Sequence, residues 1–427
     1  MRVLTGVLAA LTYGSDALCD PLPQAVCRPS APCAMVAAGA TAEATLVQAQ
    51  TLDRSEQARS VDLYFQAAVQ ATQSFGQDPA FGYVDGRSAE VYRQALSGLI
   101  DAGQRYGRLD PRRQLVVVEG GARIVPIHYQ GFAWRPQDFS RLTSVVGCES
   151  REFAHHYANR GLGLPLIGER IASCQPETFF RPWQPFAVTA VLRPAHDAGT
   201  TGQPVCGEGY VLELFNPLAI GSLSWGEVSY PLAGNLTAPL AMTVSKVPRQ
   251  YLRGFTAPSD TSVQQQLVMM EPYQRGKIPV VFIHGLYSDP ITWVDMANEL
   301  LVHRDLYAHF QFWIFRYPTG GEVLDSAAVL RRDLQAARDT FDPEHTDPAL
   351  DQIVLVGHSL GGLLSQMQVT RSYDLLWREI ANQPFDALRA PPKLQERLAQ
   401  CFFFEPVPAV KRVVFIGTPH HGSGMTR

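Results

Sequence analysis

The last third of this 427-residue chain predicts an α/β fold, in which helices cover both faces of a mostly parallel sheet. Short apolar runs alternate with helical patterns from about residue 266 onward, and parallel strands need such runs because both of their faces are buried. A serine flanked by glycines follows one of these runs directly and opens a helix. The alternation and this strand–serine–helix junction together carry the fold prediction.

Each element of the α/β region is assigned from its own pattern. Continuous apolar runs predict four strands, and apolar residues three or four apart predict three helices. The predicted strands are 278–283, 310–317, 353–356 and 412–416, and the predicted helices are 291–302, 323–341 and 360–370.

Three regions are predicted upstream of this α/β domain, which we place at 266–427. Residues 1–54 are interpreted as a candidate signal peptide and a linker, 55–113 as a helical region, and 114–265 as a β-rich accessory region. Within the β-rich region, a hairpin is predicted from 115–118 and 123–129, and further strands at 186–192, 210–215 and 240–247.

Composition restricts the compartment and the partners. Hydrophobic residues make up 46% and charged residues 18%, which is typical of a globular protein, and the formal net charge of −4 offers no basic face for nucleic acid. Arg2 precedes an apolar stretch of signal-peptide length, and Cys19, Cys27 and Cys33 crowd the first 35 residues. We therefore expect the cell envelope or secretion rather than the cytoplasm, although an ordinary cytosolic start is the alternative. The oligomeric state is left open.

The motif Gly357-His358-Ser359-Leu360-Gly361 follows the predicted strand 353–356 and starts a helix. A serine on so tight a turn is held in a strained backbone conformation, and the flanking glycines remove side chains that would clash there. Its hydroxyl then projects above the sheet, where a base can reach it. Ser359 is the predicted nucleophile.

A second turn is expected to complete an oxyanion hole. Just over 70 residues before the serine, another buried strand ends in His284-Gly285-Leu286. In strand–serine–helix sites, one backbone N–H of the hole comes from the residue after the nucleophile and the other from a turn at this position. We assign the hole to the amides of Leu360 and Leu286, with His284 orienting the turn.

Other histidines and the cysteines suggest no further chemistry. His358 adjoins the nucleophile and cannot place its ring opposite the serine hydroxyl, and the adjacent His155 and His156 are interpreted as structural. No cysteines or histidines lie at the spacing of a metal site, so neither a metal nor a cofactor is predicted.

Three segments of the α/β region resemble bacterial α/β-hydrolases of the lipase-like group, which includes relatives of the GPI inositol-deacylases and of serine esterases. These segments are 279–285, 357–362 and 413–423. The resemblance implies a serine esterase or lipase. Such enzymes usually read Thr-Pro-His-Arg-Gly-Ser in the last segment, so His421 departs from the pattern.

The order of the catalytic residues in this fold leaves the triad incomplete. The acid follows the nucleophile and the histidine follows the acid, each after a later strand. Only eleven residues follow Ile416, and none is acidic. We therefore expect the acid and base beyond Arg427, a C-terminally incomplete domain, and near-background turnover by this chain. His420 and His421 are the alternative bases.

The expected reaction is hydrolysis of an apolar carboxylic ester or lipid-like substrate through an acyl-enzyme on Ser359. Acyl transfer or thioester cleavage on the same machinery, and a non-catalytic binding protein, are the alternatives. An aromatic, proline-broken insertion at 372–408 fits equally a lid over the acyl pocket or ordinary domain core. Because the expected substrate is apolar, we also expect peripheral contact with a membrane.

Overall fold

The computed structural model describes residues 33–73, 86–118, 122–148, 151–172, 178–195, 209–226, 228–246 and 265–422. The candidate signal peptide at 1–32 lies outside these residues. The chain divides into two compact units. One consists of Gly14–Ser173 and Pro182–Ser245, and the other of Met1–Tyr13, Cys174–Arg181 and Lys246–Arg427.

The first unit combines helices with a mixed sheet. The sheet has seven strands in the order β1-β2-β3-β8-β7-β6-β4, and all neighbours are antiparallel except β3 and β8. The predicted hairpin is confirmed as the antiparallel pair of β2 and β3. The elements are α1 (Cys33–Arg54), α2 (Ser60–Thr72), α3 (Arg87–Arg105), β1 (Leu109–Asp110), β2 (Gln114–Val117), β3 (Arg123–Gln130), β4 (Arg141–Ser144), β5 (Ala158–Asn159), β6 (Leu164–Ile171), β7 (Trp183–Pro194), β8 (Tyr210–Phe215), β9 (Ser222–Trp225), β10 (Val228–Pro231), β11 (Gly234–Asn235) and α4 (Ala238–Lys246).

Two segments of this unit differ from the sequence interpretation. The strand predicted at 240–247 is wrong, because the segment is helix α4 and buries Ala238, Ala241 and Met242 at helical spacing. Such short apolar runs do not separate strand from helix by periodicity alone. Helix α1 occupies part of the predicted linker, where an alanine-rich sequence of high helix propensity buries Leu46 and Ala49.

The second unit contains the predicted mostly parallel sheet, which is confirmed. Its five strands lie in the order β12-β14-β13-β15-β16, and β12 alone is antiparallel to its neighbour. The elements are β12 (Gln266–Met269), β13 (Ile278–Ile283), α5 (Val294–Leu301), α6 (Arg304–His309), β14 (Phe310–Arg316), α7 (Val323–Phe341), β15 (Ile353–His358), α8 (Leu360–Gln366), α9 (Leu375–Arg378), α10 (Pro392–Phe402) and β16 (Val410–Ile416).

Helices cover both faces of this sheet, as the continuous apolar runs require. Along β13, Val281 and Ile283 enter the core under α7, whereas Val280 and Phe282 enter the core on the opposite face beside Trp293. Neighbouring side chains of a strand point to opposite faces, so a strand that is buried twice needs apolar residues at every position. The sheet is therefore a rigid support for the turns at its carboxyl edge.

The aromatic insertion packs on helix α7. Arg397 of α10 forms an ion pair with Asp325 (2.8 Å), and the guanidinium of Arg331 lies 4.4 Å from the ring centre of Phe404. Trp377 is buried among the rings of three phenylalanines, Phe385, Phe402 and Phe403. These contacts favour the domain-core interpretation of the insertion over the lid.

None of the helices in the described ranges combines the length and the apolar character that crossing a membrane requires.

Candidate active site

The turn between β15 and α8 holds Ser359 in a conformation that few residues adopt. Its φ is 51° and its ψ −118°, and a positive φ is costly for a residue with a side chain. The Ser359 N–H donates to the Ile416 carbonyl of the neighbouring strand (2.8 Å), and the Ser359 carbonyl accepts from the Gly362 N–H (3.0 Å). The serine is therefore fixed from both sides, with its side chain outside the helix.

Close approach around this turn explains the glycines of the motif. A Cβ on Gly361 would overlap the carbonyl oxygens of Ile283 and His284 at the end of β13. One on Gly357 would lie 2.6 Å from the Gly361 carbonyl, and one on Gly362 would overlap the Thr418 side chain. The start of α8 is thus pressed against backbone atoms that have little freedom to move.

The second predicted turn lies against the nucleophile. Ile283 pairs with Gly357 in the parallel ladder, so the residues that follow the two strands meet at the same edge of the sheet. A Cβ on Gly285 would lie 3.0 Å from the Ser359 Cβ, so this glycine packs closely against Ser359. The structure therefore brings the predicted turns together, and the oxyanion role of the Leu286 and Leu360 amides remains a prediction.

The predicted oxyanion turn (284–289, called the oxyanion turn below) is closed by local hydrogen bonds. Asp289 is buried and accepts the Ile291 N–H (3.0 Å), which caps the short 3-10 helix Pro290–Trp293. Tyr287 has a positive φ of 53° and remains 47% exposed. A bulky residue in this conformation indicates a tightly constrained turn.

His284 is a buried part of this turn. It is 1% exposed, and its ring stacks on Tyr317 with centroids 4.4 Å apart. The His284 pKa is lowered to about 4, mainly by burial; Arg316 and His358 act in the same direction, and a hydrogen bond with the Gly285 carbonyl opposes them. The imidazole is therefore neutral at physiological pH.

Three residues beside this turn, Arg181, Arg316 and Tyr317, were not identified as site residues from the sequence. Ile283 pairs with Phe315, so Arg316 at the end of β14 and Tyr317 directly after it lie next to His284. Burial, followed by the charge of Arg316, lowers the pKa of Arg181 to about 10, and Asp289 opposes that shift. The sequence gives little sign of the two arginines, because both are distant from the two motifs in the chain.

The other histidine candidates lie near the Ser359 turn, and none of them hydrogen-bonds to the serine hydroxyl. His358 points toward the oxyanion turn, where a Cβ on Gly285 would be 2.8 Å from its Nδ1. His420 Nδ1 lies 3.0 Å from Gln366 Oε1, and its ring contacts Phe415 edge-on. His421 is exposed. In the described ranges no side chain hydrogen-bonds to the Ser359 hydroxyl, so neither acid nor base is assigned.

In the described part of the chain, no group of three or more His, Cys, Asp or Glu side chains is placed to bind a metal ion. His155 and His156 are exposed next to aromatic neighbours.

Comparison with known proteins identifies the domain that carries these turns. Residues 280–418 match the model of the Alpha/beta hydrolase family, so the chain contains an α/β-hydrolase domain. No curated protein matches. Bacillus licheniformis lipase BlEst2 is similar in its mature form, with 21% identity and a TM-score of 0.23 over 37% of this chain and 49% of that one. Its propeptide form is 22% identical, with a TM-score of 0.23 over 37% and 27%. The match thus covers less than half the length of either lipase structure.

Replacing Gly361 by alanine should separate the two turns. The added Cβ meets backbone oxygens, so α8 must shift away from β13, with a loss of about 1–3 kcal/mol in the free energy of unfolding. A displacement of this kind should slow labelling of Ser359 by a fluorophosphonate on the order of a hundredfold. The control is Gly86→Ala, whose Cβ would meet nothing within 4 Å. Unchanged labelling of the Gly361 variant would contradict the tight contact.

Proposed function

We propose that this protein is a serine hydrolase that cleaves carboxylic esters through an acyl-enzyme on Ser359. The strained conformation of Ser359, in contact with Gly285 of the oxyanion turn, is the observation that carries the proposal. Backbone strain that the surrounding structure holds in place is typical of functional sites. The match to the Alpha/beta hydrolase family supports it independently.

The proposed reaction has two steps, acylation of Ser359 and hydrolysis of the acyl-serine. The Ser359 oxygen attacks the ester carbonyl carbon and loses its proton to a base, and the carbonyl oxygen becomes an oxyanion. The N–H groups of Leu286 and Leu360 would stabilise that charge. The tetrahedral intermediate collapses, the alcohol leaves with a proton, and water then attacks the acyl-serine and releases the acid.

An apolar acyl group fits the surface beside the nucleophile. Tyr287 is 47% exposed directly after the oxyanion turn, and Phe415 is 40% exposed on β16, whose Ile416 carbonyl accepts the serine N–H. Apolar side chains exposed around a nucleophile suit an apolar substrate. The narrower likeness of the three motifs to relatives of the GPI inositol-deacylases remains a sequence-based hypothesis.

Ser359 should be the serine that reacts with a fluorophosphonate. We expect the full-length wild-type protein to gain one phosphonyl group in intact-mass spectrometry and its Ser359→Ala variant to gain none, because the strained Ser359 turn holds this hydroxyl beside the oxyanion turn. Ser288→Ala is the matched control, since it removes a half-buried hydroxyl of the oxyanion turn, 2.5 Å from Thr292 Oγ1, and should label like wild type. Equal labelling of the Ser359→Ala variant would show that the nucleophile is wrong.

The rate of labelling should rise with the alkyl chain of the probe. Each methylene buried against Tyr287 and Phe415 contributes up to about 0.8 kcal/mol, which corresponds to at most about fourfold per carbon until the surface is covered. The measurement is the second-order rate constant for alkyl fluorophosphonates from ethyl to decyl. Tyr287→Ser should flatten the rise. A rate that falls steadily with chain length would contradict an apolar substrate.

A further inference from the structure

The ring of His284 takes no part in the proposed chemistry, although it is buried in the oxyanion turn. We propose that His284 and Tyr317 are positioning residues that fix the Gly285–Leu286 peptide, so that the Leu286 N–H faces the oxygen of the substrate carbonyl. This inference rests on the proposed function and assigns a task to two side chains that do not touch the substrate.

The first step is the tautomer of His284. Its Nδ1 lies 3.2 Å from the Gly285 carbonyl oxygen, which can only accept a hydrogen bond, so Nδ1 carries the proton. Nε2 is buried and, among the described residues, has no hydrogen-bond partner. In this tautomer the Nδ1–H donates to the Gly285 carbonyl, and Nε2 carries no N–H that would need an acceptor.

The second step is the geometry of the peptide. The described chain has no cis peptide bond, and in a trans peptide the C=O and the following N–H lie in one plane and point in opposite directions. Holding the Gly285 oxygen therefore also sets the direction of the Leu286 N–H. Without that bond the peptide could rotate, because glycine restricts its neighbouring dihedral angles very little.

The third step is the support of the ring itself. Tyr317 is 3% exposed and stacks on His284 with an interplanar angle of 17°, and its hydroxyl donates to the His284 carbonyl (2.7 Å). One side chain thus fixes both the imidazole and the peptide before Gly285. Two consecutive peptides of the turn are then oriented by two buried rings.

The charges around the imidazole keep it in this form. Burial lowers its pKa to about 4, and the two neighbours that act in the same direction are Arg316 and His358. The stacked Tyr317 hydroxyl stays protonated, because burial raises its pKa. Protonation of His284 at Nε2 is thus not expected above about pH 5, so the ring stays neutral and its single proton remains available to Nδ1.

The experiment distinguishes hydrogen-bond donation by His284 Nδ1 from packing of the imidazole ring alone. The variants are His284→Leu, which removes the donor, His284→Asn, whose side-chain N–H can occupy the Nδ1 position, and Tyr317→Phe, which keeps the stack. Tyr307→Phe is the matched control, since Tyr307 is equally buried and donates instead to Glu271 (2.9 Å). Saturation kinetics with a fluorophosphonate on the full chain give the binding constant KI and the chemical rate kinact.

We expect kinact to fall on the order of tenfold or more in His284→Leu and Tyr317→Phe, with KI unchanged, because the oxyanion forms only in the chemical step. His284→Asn should recover most of the rate, and Tyr307→Phe should match wild type. Equal losses in the Asn and Leu variants, or a change in KI alone, would overturn the proposal.

A second measurement does not depend on labelling. In the Ser359→Ala chain labelled with 15N-histidine, the His284 resonance, identified by its loss in His284→Asn, should show a protonated Nδ1 and a bare Nε2. The opposite tautomer would overturn the proposal. A full-length wild-type protein that takes up no probe at all would instead refute the proposed function, so the two failures are distinguishable.

Discussion

The site depends on the backbone of one residue, Ser359, held at a positive φ between two strands. A conformation of this kind costs on the order of 1–3 kcal/mol, and it persists because the surrounding groups leave no alternative. The hydrogen bond from the Ser359 N–H to β16 and the contact of Gly361 with the end of β13 act together. If either contact is lost, the serine can relax into ordinary helical geometry and its hydroxyl leaves the oxyanion turn.

The parallel sheet makes this arrangement precise. Strands β13, β14 and β15 end at the same edge, in a register that the apolar residues on both faces hold fixed. A slip of one residue would send every buried side chain of a strand to the other face, so the register is strongly specified. Gly285, Tyr317 and Ser359, which are far apart in the chain, therefore meet with little conformational freedom.

Local features of the sequence were sufficient to predict the strand-to-helix turn at Ser359 and the parallel sheet. A strand buried on both faces leaves a continuous apolar run, and the Ser359 turn needs glycines at fixed offsets, so both can be recognised without knowing the rest of the fold. The stack of Tyr317 on His284 has no such signature, because its geometry exists only after β13 and β14 pair. The same holds for Arg181, which reaches the site from a segment upstream of the sheet.

Errors in the sequence analysis have a related cause. The segment of helix α4 is short and apolar, and its spacing became decisive only when Ala238 and Met242 were seen to be buried on one side. The sequence of the insertion around Trp377 fits a lid and domain core equally. Its contacts with helix α7 could not be anticipated from composition. Long-range packing makes the first segment a helix and favours domain core for the insertion.

The most direct test of the account is a crystal structure of the chain with Ser359 phosphonylated. The phosphoryl oxygen stands in for the oxyanion of the tetrahedral intermediate. We expect this oxygen about 3 Å from the backbone nitrogens of both Leu286 and Leu360, with the Gly285 carbonyl still hydrogen-bonded to His284. A phosphoryl oxygen that points into solvent, or that contacts neither amide, would contradict it.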